Sequence, residues 1–260
     1  MITVGVLTPH AAAGADAEFS RMAPGQVRTE VARIRSGDSA SGGGEPPTSP
    51  EGLRALATPA ALDAAAAALA GAVDVLAYAS TSSGYAIGYD AEAALVDRLG
   101  ERWHRPVCAA SRSAVSALRS HRIERVSLVH PPWFGDPQNE LGAAYFRSQG
   151  FEVVDSRLAD LPNDPDQIEA AMVVDWVSRH LDRRAEAVVI GGNGLRAAGA
   201  VQELEDSTGR LVLEANQVLL WSVLTSAGGS MDVSGFGAVF DENEPGPLGP
   251  RPTSRPTGVA

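Results

Sequence analysis

The stretch "VDVLAYASTSSGYAIG", residues 73–88, passes from an apolar run into a cluster of hydroxyl groups. Val73, Val75 and Leu76 have the apolar, β-branched character that is typical of a buried strand. The run ends in residues 80–84, "STSSG", where a helix is predicted to begin. The first N–H groups of a helix have no partner inside it. The stretch therefore predicts a strand that brings hydroxyls and free N–H groups to one edge of a sheet.

This pattern occurs twice in the chain. The first copy consists of residues 73–84, a helix, and "RPVCAASRSAVSALR" (105–119). The second copy, which resembles it, consists of "AEAVVIGGNGLR" (185–196), a helix, and "GRLVLEANQVLLWSVL" (209–224). The segments "ITVGVLTPH" (2–10) and "RVSLVHPPW" (125–133) also resemble each other, as the opening strand of each copy. The repeat predicts two similar α/β halves.

Strands that alternate with helices indicate βαβ units and a parallel sheet. We predict an α/β fold of two pseudo-symmetric halves, with mostly parallel sheets facing a central cleft. Residues 1–118 with 216–240 are predicted to form the first half, and residues 119–215 the second. The predicted strands are Thr3–Thr8, Val27–Ile34, Asp74–Ala79, Pro106–Ala110, Val126–His130, Glu152–Ser156, Ala187–Gly191 and Leu211–Ala215. The predicted helices lie near Pro59–Ala70, Ala91–Arg102, Ser113–Arg119, Pro137–Gln149, Pro165–Leu181, Ala197–Thr208 and Gln217–Ala227.

Two segments have the composition of irregular structure. Ser36–Pro50, "SGDSASGGGEPPTSP", is rich in Gly, Ser and Pro without periodicity, which predicts a flexible loop. The loop is either a passive insertion or a lid over a site. The Pro/Gly-rich residues 241–260 are predicted to be a disordered tail.

The composition restricts partners and location. A net charge of −11 disfavours nucleic acid as a partner, because an acidic surface repels phosphates. Cys108 is the one cysteine, which excludes an intrachain disulfide and fits a reducing compartment. No apolar run reaches membrane-spanning length, and the first residues do not have the pattern of a signal peptide. We expect a cytoplasmic protein without a membrane partner.

Four polar loops follow strands that should end at the cleft. They are residues 8–10, "TPH"; 80–82, "STS"; 130–133, "HPPW"; and 192–194, "GNG". Ligands of open α/β sheets bind outside the carboxyl ends of the strands. The hydroxyls of residues 80–82 either cap a helix or help to form an anion site. The glycines beside Asn193 can aim N–H groups at one point, so two facing loops predict a site for a small carboxylate.

His10 and His130 occupy equivalent positions in the two halves, just after the opening strand. A histidine there either transfers protons or only caps and packs. Neither has Asp, Glu or Cys at ligand spacing, so no metal site is predicted. The other three histidines, His104, His121 and His180, are predicted to lie at the surface.

Aromatic side chains flank these loops. Tyr78 and Tyr85 lie on either side of the hydroxyl cluster, and Trp133–Phe134 follows His130. These aromatics either belong to the core or form a pocket wall, and the Pro-rich turn favours a wall at Trp133–Phe134. Cys108 lies inside a strand, which favours a buried structural thiol.

The sequence resembles the Asp/Glu racemase superfamily, in the branch of maleate cis-trans isomerases and arylmalonate decarboxylases. The resemblance runs from about residue 3 to 240. It is carried by "VGVLTPHAA", "YASTSSGYAIG", "PVCAASRSAVSALRS", "RVSLVHPPWFGDPQNELGAAYFRSQGFEVV", "AVVIGGNGLRAAGAVQELE" and "GRLVLEANQVLLWSVL". It implies the two-half architecture and is compatible with a homo-oligomer.

Members of this superfamily work through cysteines at the pseudo-symmetric strand ends. Racemases use two, maleate isomerases attack the double bond with one, and arylmalonate decarboxylases keep only the second. Ser80 matches the first position, and Gly192 the second, or Asn193 if the loop is shifted by one. Cys108 matches neither. Both catalytic cysteines are therefore predicted to be replaced, and an unassisted serine hydroxyl supplies no comparable nucleophile at neutral pH.

The resemblance carries the carboxylate-binding positions over to Thr81, Ser82, Asn193 and Gly194. The full set of predicted substrate-binding residues is Pro9, Thr81, Ser82, Tyr85, Pro132, Trp133, Asn193 and Gly194. The predicted catalytic positions are Ser80, His10, His130 and Gly192.

Three functions remain open. The first is a cofactor-independent enzyme that isomerises or decarboxylates a small carboxylate or dicarboxylate through an enediolate-like state. The second is a binding or regulatory protein that kept the carboxylate site and lost turnover. The third is an interaction or structural role, since fold alone does not determine function.

Overall fold

The computed structural model describes residues 1–10, 12–35, 48–69 and 71–241 of the 260-residue chain. It has two four-stranded sheets in which every pairing is parallel. The first contains β1 (Ile2–Thr8), β2 (Val27–Arg33), β3 (Val75–Tyr78) and β4 (Val107–Ala109). The second contains β5 (Arg125–His130), β6 (Glu152–Leu158), β7 (Ala187–Ile190) and β8 (Leu211–Glu214).

Ten α-helices connect and cover the strands in the described ranges. They are α1 (Ala15–Met22), α2 (Pro50–Leu56), α3 (Pro59–Ala67), α4 (Thr81–Ile87), α5 (Tyr89–Trp103), α6 (Ala110–Ser120), α7 (Asp136–Ser148), α8 (Ala170–His180), α9 (Val201–Thr208) and α10 (Ala215–Ala227).

The strand order is the same in the two sheets. It runs β2-β1-β3-β4 in the first and β6-β5-β7-β8 in the second. The apolar runs at β3 and β7 are completely buried, as expected for strands covered on both faces. The predicted fold of two pseudo-symmetric, parallel α/β halves is confirmed.

The helix predictions were wrong in five places, one of which is α4: the stretch at residues 80–84 predicts a helix start, but no helix was predicted over 81–87. Helices α1 and α2 were missed, although Phe19 and Met22 continue the apolar spacing that starts at Ala15. Ser49 accepts a hydrogen bond from the Gly52 N–H and caps α2, so Pro50 begins a helix rather than ending the loop. The single helices predicted over 165–181 and 197–208 are each a short 3₁₀ turn followed by an α-helix, α8 and α9.

Helix α10 follows the last strand of the second sheet but packs against α1, α6, β3 and β4 of the first half. Most of its residues are apolar and buried, with Leu219 and Val223 in the core that joins the two halves. This packing agrees with assigning residues 216–240 to the first half, and the domain boundaries stay a prediction.

Most of the predicted loop and nearly all of the predicted tail lie outside the described residues, at 36–47 and 242–260. The hypothesis of a lid at 36–50 therefore stays a prediction. Within the described ranges, no helix combines the length and apolar character needed to cross a bilayer.

Candidate functional site

Two loops, one from each half, are hydrogen-bonded to each other across the cleft. The backbone N–H of Thr81 donates to Asn193 Oδ1 at 3.1 Å. In return, the backbone N–H of Gly192 donates to Thr81 Oγ1 at 2.9 Å. The structure thus brings together the loops after β3 and β7, as the repeat predicted.

Gly192 lets the second loop turn sharply at the end of β7. Its φ is +89°, a conformation that favours glycine. A Cβ at this position would lie 2.2 Å from Pro131 Cγ, which leaves no room for a side chain. The backbone therefore passes close to the turn that follows β5.

The first loop leads directly into α4. Ser80 is the N-cap residue, but its side chain makes no capping hydrogen bond. Its Oγ instead donates to Ser83 Oγ at 2.9 Å. Capping by the Ser80 hydroxyl, one of the two interpretations from the sequence, is therefore wrong.

Both loops present backbone donors that make no hydrogen bond within the described ranges. These are the N–H groups of Ser82 and Ser83 in the first turn of α4, and of Asn193 and Gly194 after β7. Ser80 and Thr81 are 2% and 4% exposed, so the adjoining donors lie in a largely dry environment. Such a set of donors can bind a carboxylate or an oxyanion.

His10 lies at the edge of the second loop. A Cβ on Gly194 would be 3.6 Å from the His10 ring and 3.7 Å from Trp133 Cζ2, so these three residues meet. Burial, together with the charge of Arg33, lowers the pKa of His10 to about 4. The His10 imidazole is therefore neutral above about pH 5.

His130 is sealed inside the protein, at 1% exposed. Its Nδ1 lies 2.8 Å from Asn139 Oδ1, while Asn139 Nδ2 donates to the Ser156 carbonyl. With the amide in this orientation, Nδ1 carries the proton and Nε2 is an acceptor, which has no partner in the described part of the chain. Burial lowers the pKa of His130 to about 4.

The aromatic residues divide between cleft and core. Trp133 is partly buried beside Gly194, whereas Phe134 is buried and stacks on His130 with ring centroids 5.7 Å apart. Tyr85 is 4% exposed and its ring centroid lies 5.6 Å from that of His130. Tyr78 packs in the outer core of the first half. Phe134 and Tyr78 therefore pack in the core, a pocket wall at Trp133 stays a prediction, and Pro9 and Pro132 are partly buried.

Sequence reasoning missed a buried carboxyl group behind the first loop. Glu92 of α5 is fully buried, and a Cβ on Gly84 would lie 2.4 Å from its Oε1. Its Oε2 accepts a hydrogen bond from the Tyr145 hydroxyl of the second half. Burial raises the pKa of Glu92 to about 7. The available signal was spacing, since Glu92 shares the apolar face of α5 with Leu95 and Leu99.

Cys108 lies in β4, away from both loops. It is 6% exposed and its Sγ is 3.2 Å from Ser226 Oγ. Burial raises the pKa of the thiol, which keeps it protonated. The prediction of a buried thiol is confirmed.

Solved structures of isomerases and decarboxylases share this fold. Maleate isomerase Iso from Pseudomonas putida S16 has a TM-score of 0.81 at 20% identity, over 93% of this chain and 98% of that one. A cysteine-to-serine mutant of Nocardia farcinica maleate cis-trans isomerase, with a covalently bound succinylcysteine intermediate, has a TM-score of 0.79 at 22% identity, over 94% and 99%. Arylmalonate decarboxylase has a TM-score of 0.75 at 22% identity, over 93% and 100%.

The family follows from the sequence profile of arylmalonate decarboxylase, which matches residues 23–240. The chain therefore belongs to the arylmalonate decarboxylase family. A comparison with curated proteins gives no match.

Proposed function

We propose that the protein is an enzyme that acts on a small carboxylate or dicarboxylate through an enediolate-like state, without a cysteine. The observation that carries this proposal is the pair of loops at Thr81 and Asn193, which are bonded to each other and present unpaired N–H groups. Backbone donors held in place this way stabilise developing negative charge on a carboxylate oxygen.

Decarboxylation of a malonate-type acid fits these residues better than isomerisation. The bond from the α-carbon to the departing carboxylate breaks, and its electron pair moves into the remaining carboxylate as CO₂ leaves. The donors of both loops bind the resulting enediolate, and a proton then adds at the α-carbon. Isomerisation through a cysteine adduct, by contrast, needs a thiol, and Cys108 lies in β4.

His10 is our candidate for relaying the proton: one nitrogen of its neutral ring gives a proton to the α-carbon while the other nitrogen takes a proton from water. It adjoins Gly194 and Trp133 and is partly buried, so its ring can exchange protons with water and still reach the second loop. His130 is fully enclosed, and we assign it to the support of Tyr85 and the loop at Gly191. This proposal separates the roles of two histidines that the sequence treats as equivalent.

Ser80 lines the cleft in this proposal and does not attack the substrate. Its hydroxyl donates to Ser83 Oγ, and within the described ranges no histidine or carboxylate accepts its proton. A serine without an adjacent base is a poor nucleophile at neutral pH.

A second candidate is a carboxylate-binding protein without turnover. The observation that favours it is the buried, protonated state of the only thiol, together with histidines that are neutral at physiological pH. The binding loops do not depend on either group.

The test uses the purified protein with phenylmalonate, malonate and maleate, following CO₂ release, product formation and α-proton exchange in D₂O. We expect CO₂ release from a malonate, with kcat reduced at least tenfold in His10→Gln and unchanged in His104→Gln, a surface control. Saturable binding without any turnover would establish the second candidate instead. If none of the three acids binds or reacts, both candidates are rejected.

A further inference from the structure

Asn216, fully buried in the first turn of α10, holds the second loop by two hydrogen bonds. Its Nδ2 donates to the backbone carbonyl of Asn193 at 2.9 Å. Its Oδ1 accepts from Asn193 Nδ2 at 2.8 Å. One side chain therefore controls both the peptide plane and the amide of Asn193.

The orientation of this pair is fixed by the Asn193 carbonyl and supported by the buried carboxyl group of Glu18. Glu18 Oε2 accepts from Asn216 Nδ2 at 2.6 Å, and its Oε1 accepts from the Ala198 N–H at 3.2 Å. The backbone carbonyl of Asn193 can only accept, so it fixes the Asn216 amide with its nitrogen toward that carbonyl and toward Glu18. Asn193 must then donate through Nδ2, which leaves its Oδ1 facing the N–H of Thr81.

The geometry of the peptide bond carries this arrangement into the cleft. In a trans peptide the carbonyl of one residue and the N–H of the next point in opposite directions. Because the Asn193 carbonyl is held by the buried Asn216, the Gly194 N–H points away from α10.

The first half contains the same device. Ser111 has the same place in α6 as Asn216 in α10, two residues after the N-cap. Its Oγ donates to the carbonyl of Thr81 at 3.4 Å, and Thr81 is the counterpart of Asn193. The N–H of Ser82, which follows the Thr81 carbonyl, therefore has the same direction relative to its loop as the N–H of Gly194 has in the second half.

We propose that Ser111 and Asn216 are paired positioning residues. Each holds the carbonyl of one loop residue so that the following N–H, of Ser82 or Gly194, is aimed at the carboxylate. The assignment of that carboxylate rests on the proposed function, whereas the direction of the two N–H groups does not.

The test compares Asn216→Ala and Ser111→Ala with controls in the same helices. Thr225→Ala is the control for α10, because the Thr225 hydroxyl donates to the Trp221 carbonyl inside the same helix rather than to the loop. Ser113→Ala is the control for α6, because its hydroxyl donates to the Ala109 carbonyl. Backbone amide shifts and hydrogen exchange of Ser82 and Gly194 are read by NMR without ligand, and malonate affinity by calorimetry.

We expect Asn216→Ala to move the Gly194 amide resonance and weaken malonate binding about tenfold, the usual scale for one charge-assisted hydrogen bond. Ser111→Ala should move the Ser82 amide and have a smaller effect, because its bond is longer. The controls should leave both amides and the affinity unchanged. Asn216→Ser, which keeps a hydroxyl donor, replaces Asn216→Ala if that variant does not fold.

Folded Asn216 and Ser111 variants with unshifted Gly194 and Ser82 amides would overturn the proposal. If the wild-type protein binds no malonate but the amides move as expected, the positioning role stands and the proposed function fails.

Discussion

The Tyr145 hydroxyl donates a hydrogen bond to the Glu92 carboxyl group, which joins α7 of the second half to α5 of the first. Glu92 Oε1 has no hydrogen-bond partner in the described part of the chain. Burial raises the pKa of Glu92 to about 7, although the Tyr145 bond and the charge of Arg112 act in the opposite direction. A contact between the two halves therefore contains a group that titrates near neutral pH.

The first prediction concerns stability and pH. The pKa of Glu92 is about 7 in the folded protein, whereas the ordinary value of 4.5 applies to the unfolded chain. Folding therefore favours the protonated form. Its contribution to stability is complete below about pH 4.5 and is lost as pH rises through about 7, at a cost of about 3 kcal/mol. Glu92→Gln should remove this loss, as measured by urea unfolding at pH 5 and pH 8.

The comparison between wild type and variant isolates Glu92 from other buried groups, since Glu18 and Glu214 also have raised pKa values. Tyr145→Phe removes a hydrogen bond that lowers the pKa of Glu92, so it should steepen the pH dependence. An identical slope of stability against pH in wild type and Glu92→Gln would contradict this account.

The second prediction concerns the bond between the loops. Thr81→Ala removes the acceptor for the Gly192 N–H, and Asn193→Ala removes the acceptor for the Thr81 N–H. Each should weaken malonate binding by about 1–3 kcal/mol. The loss of binding free energy in the double variant should be smaller than the sum of the two single losses, because each bond supports the other. Calorimetric titration measures all three, and unchanged affinity in both single variants would rule out the carboxylate site.

The third prediction concerns Ser80. Because its hydroxyl donates only to Ser83 Oγ, Ser80→Ala should keep kcat within about threefold of wild type. Steady-state CO₂ release gives the value. A loss of about a thousandfold in a folded variant would mean that the hydroxyl takes part in the reaction.

The fourth prediction concerns the thiol. Cys108 lies in β4 with a raised pKa, so Cys108→Ser should retain the proposed activity and iodoacetamide should not inactivate the native protein. Residual activity and intact mass are followed over several hours. Inactivation that parallels alkylation of Cys108 would place the thiol in the mechanism.

The fold could be predicted because its evidence is local and repeated. All eight predicted strands are present in the described ranges, and the similarity of residues 73–84 to 185–196 predicted the matching halves. Helix α1 was missed because it is short, and its N-cap residue Gly14 has no capping side chain. Helix α2 was missed because the loop composition before it extended through Ser49 and Pro50.

The site could be predicted only as far as the strand ends. The meeting of Thr81 with Asn193 follows from the topology of parallel sheets. The supports behind it depend on residues far apart in sequence, such as Glu18 with Asn216. His10 and His130 have equal sequence positions, but one meets Gly194 and the other is enclosed by Phe134 and bonded to Asn139.

The left-handed backbone conformation of Gly192 makes the ends of β3 and β7 unequal as positions where a reactive side chain could be introduced. At the first, a serine and a cysteine differ by one atom, so a single substitution of Ser80 introduces a thiol. At the second, the φ of +89° and the 2.2 Å approach to Pro131 exclude any side chain unless the backbone moves. A descendant of this protein could thus acquire one cleft thiol in a single step, whereas a two-thiol racemase would first require the turn at Pro131 to be rebuilt.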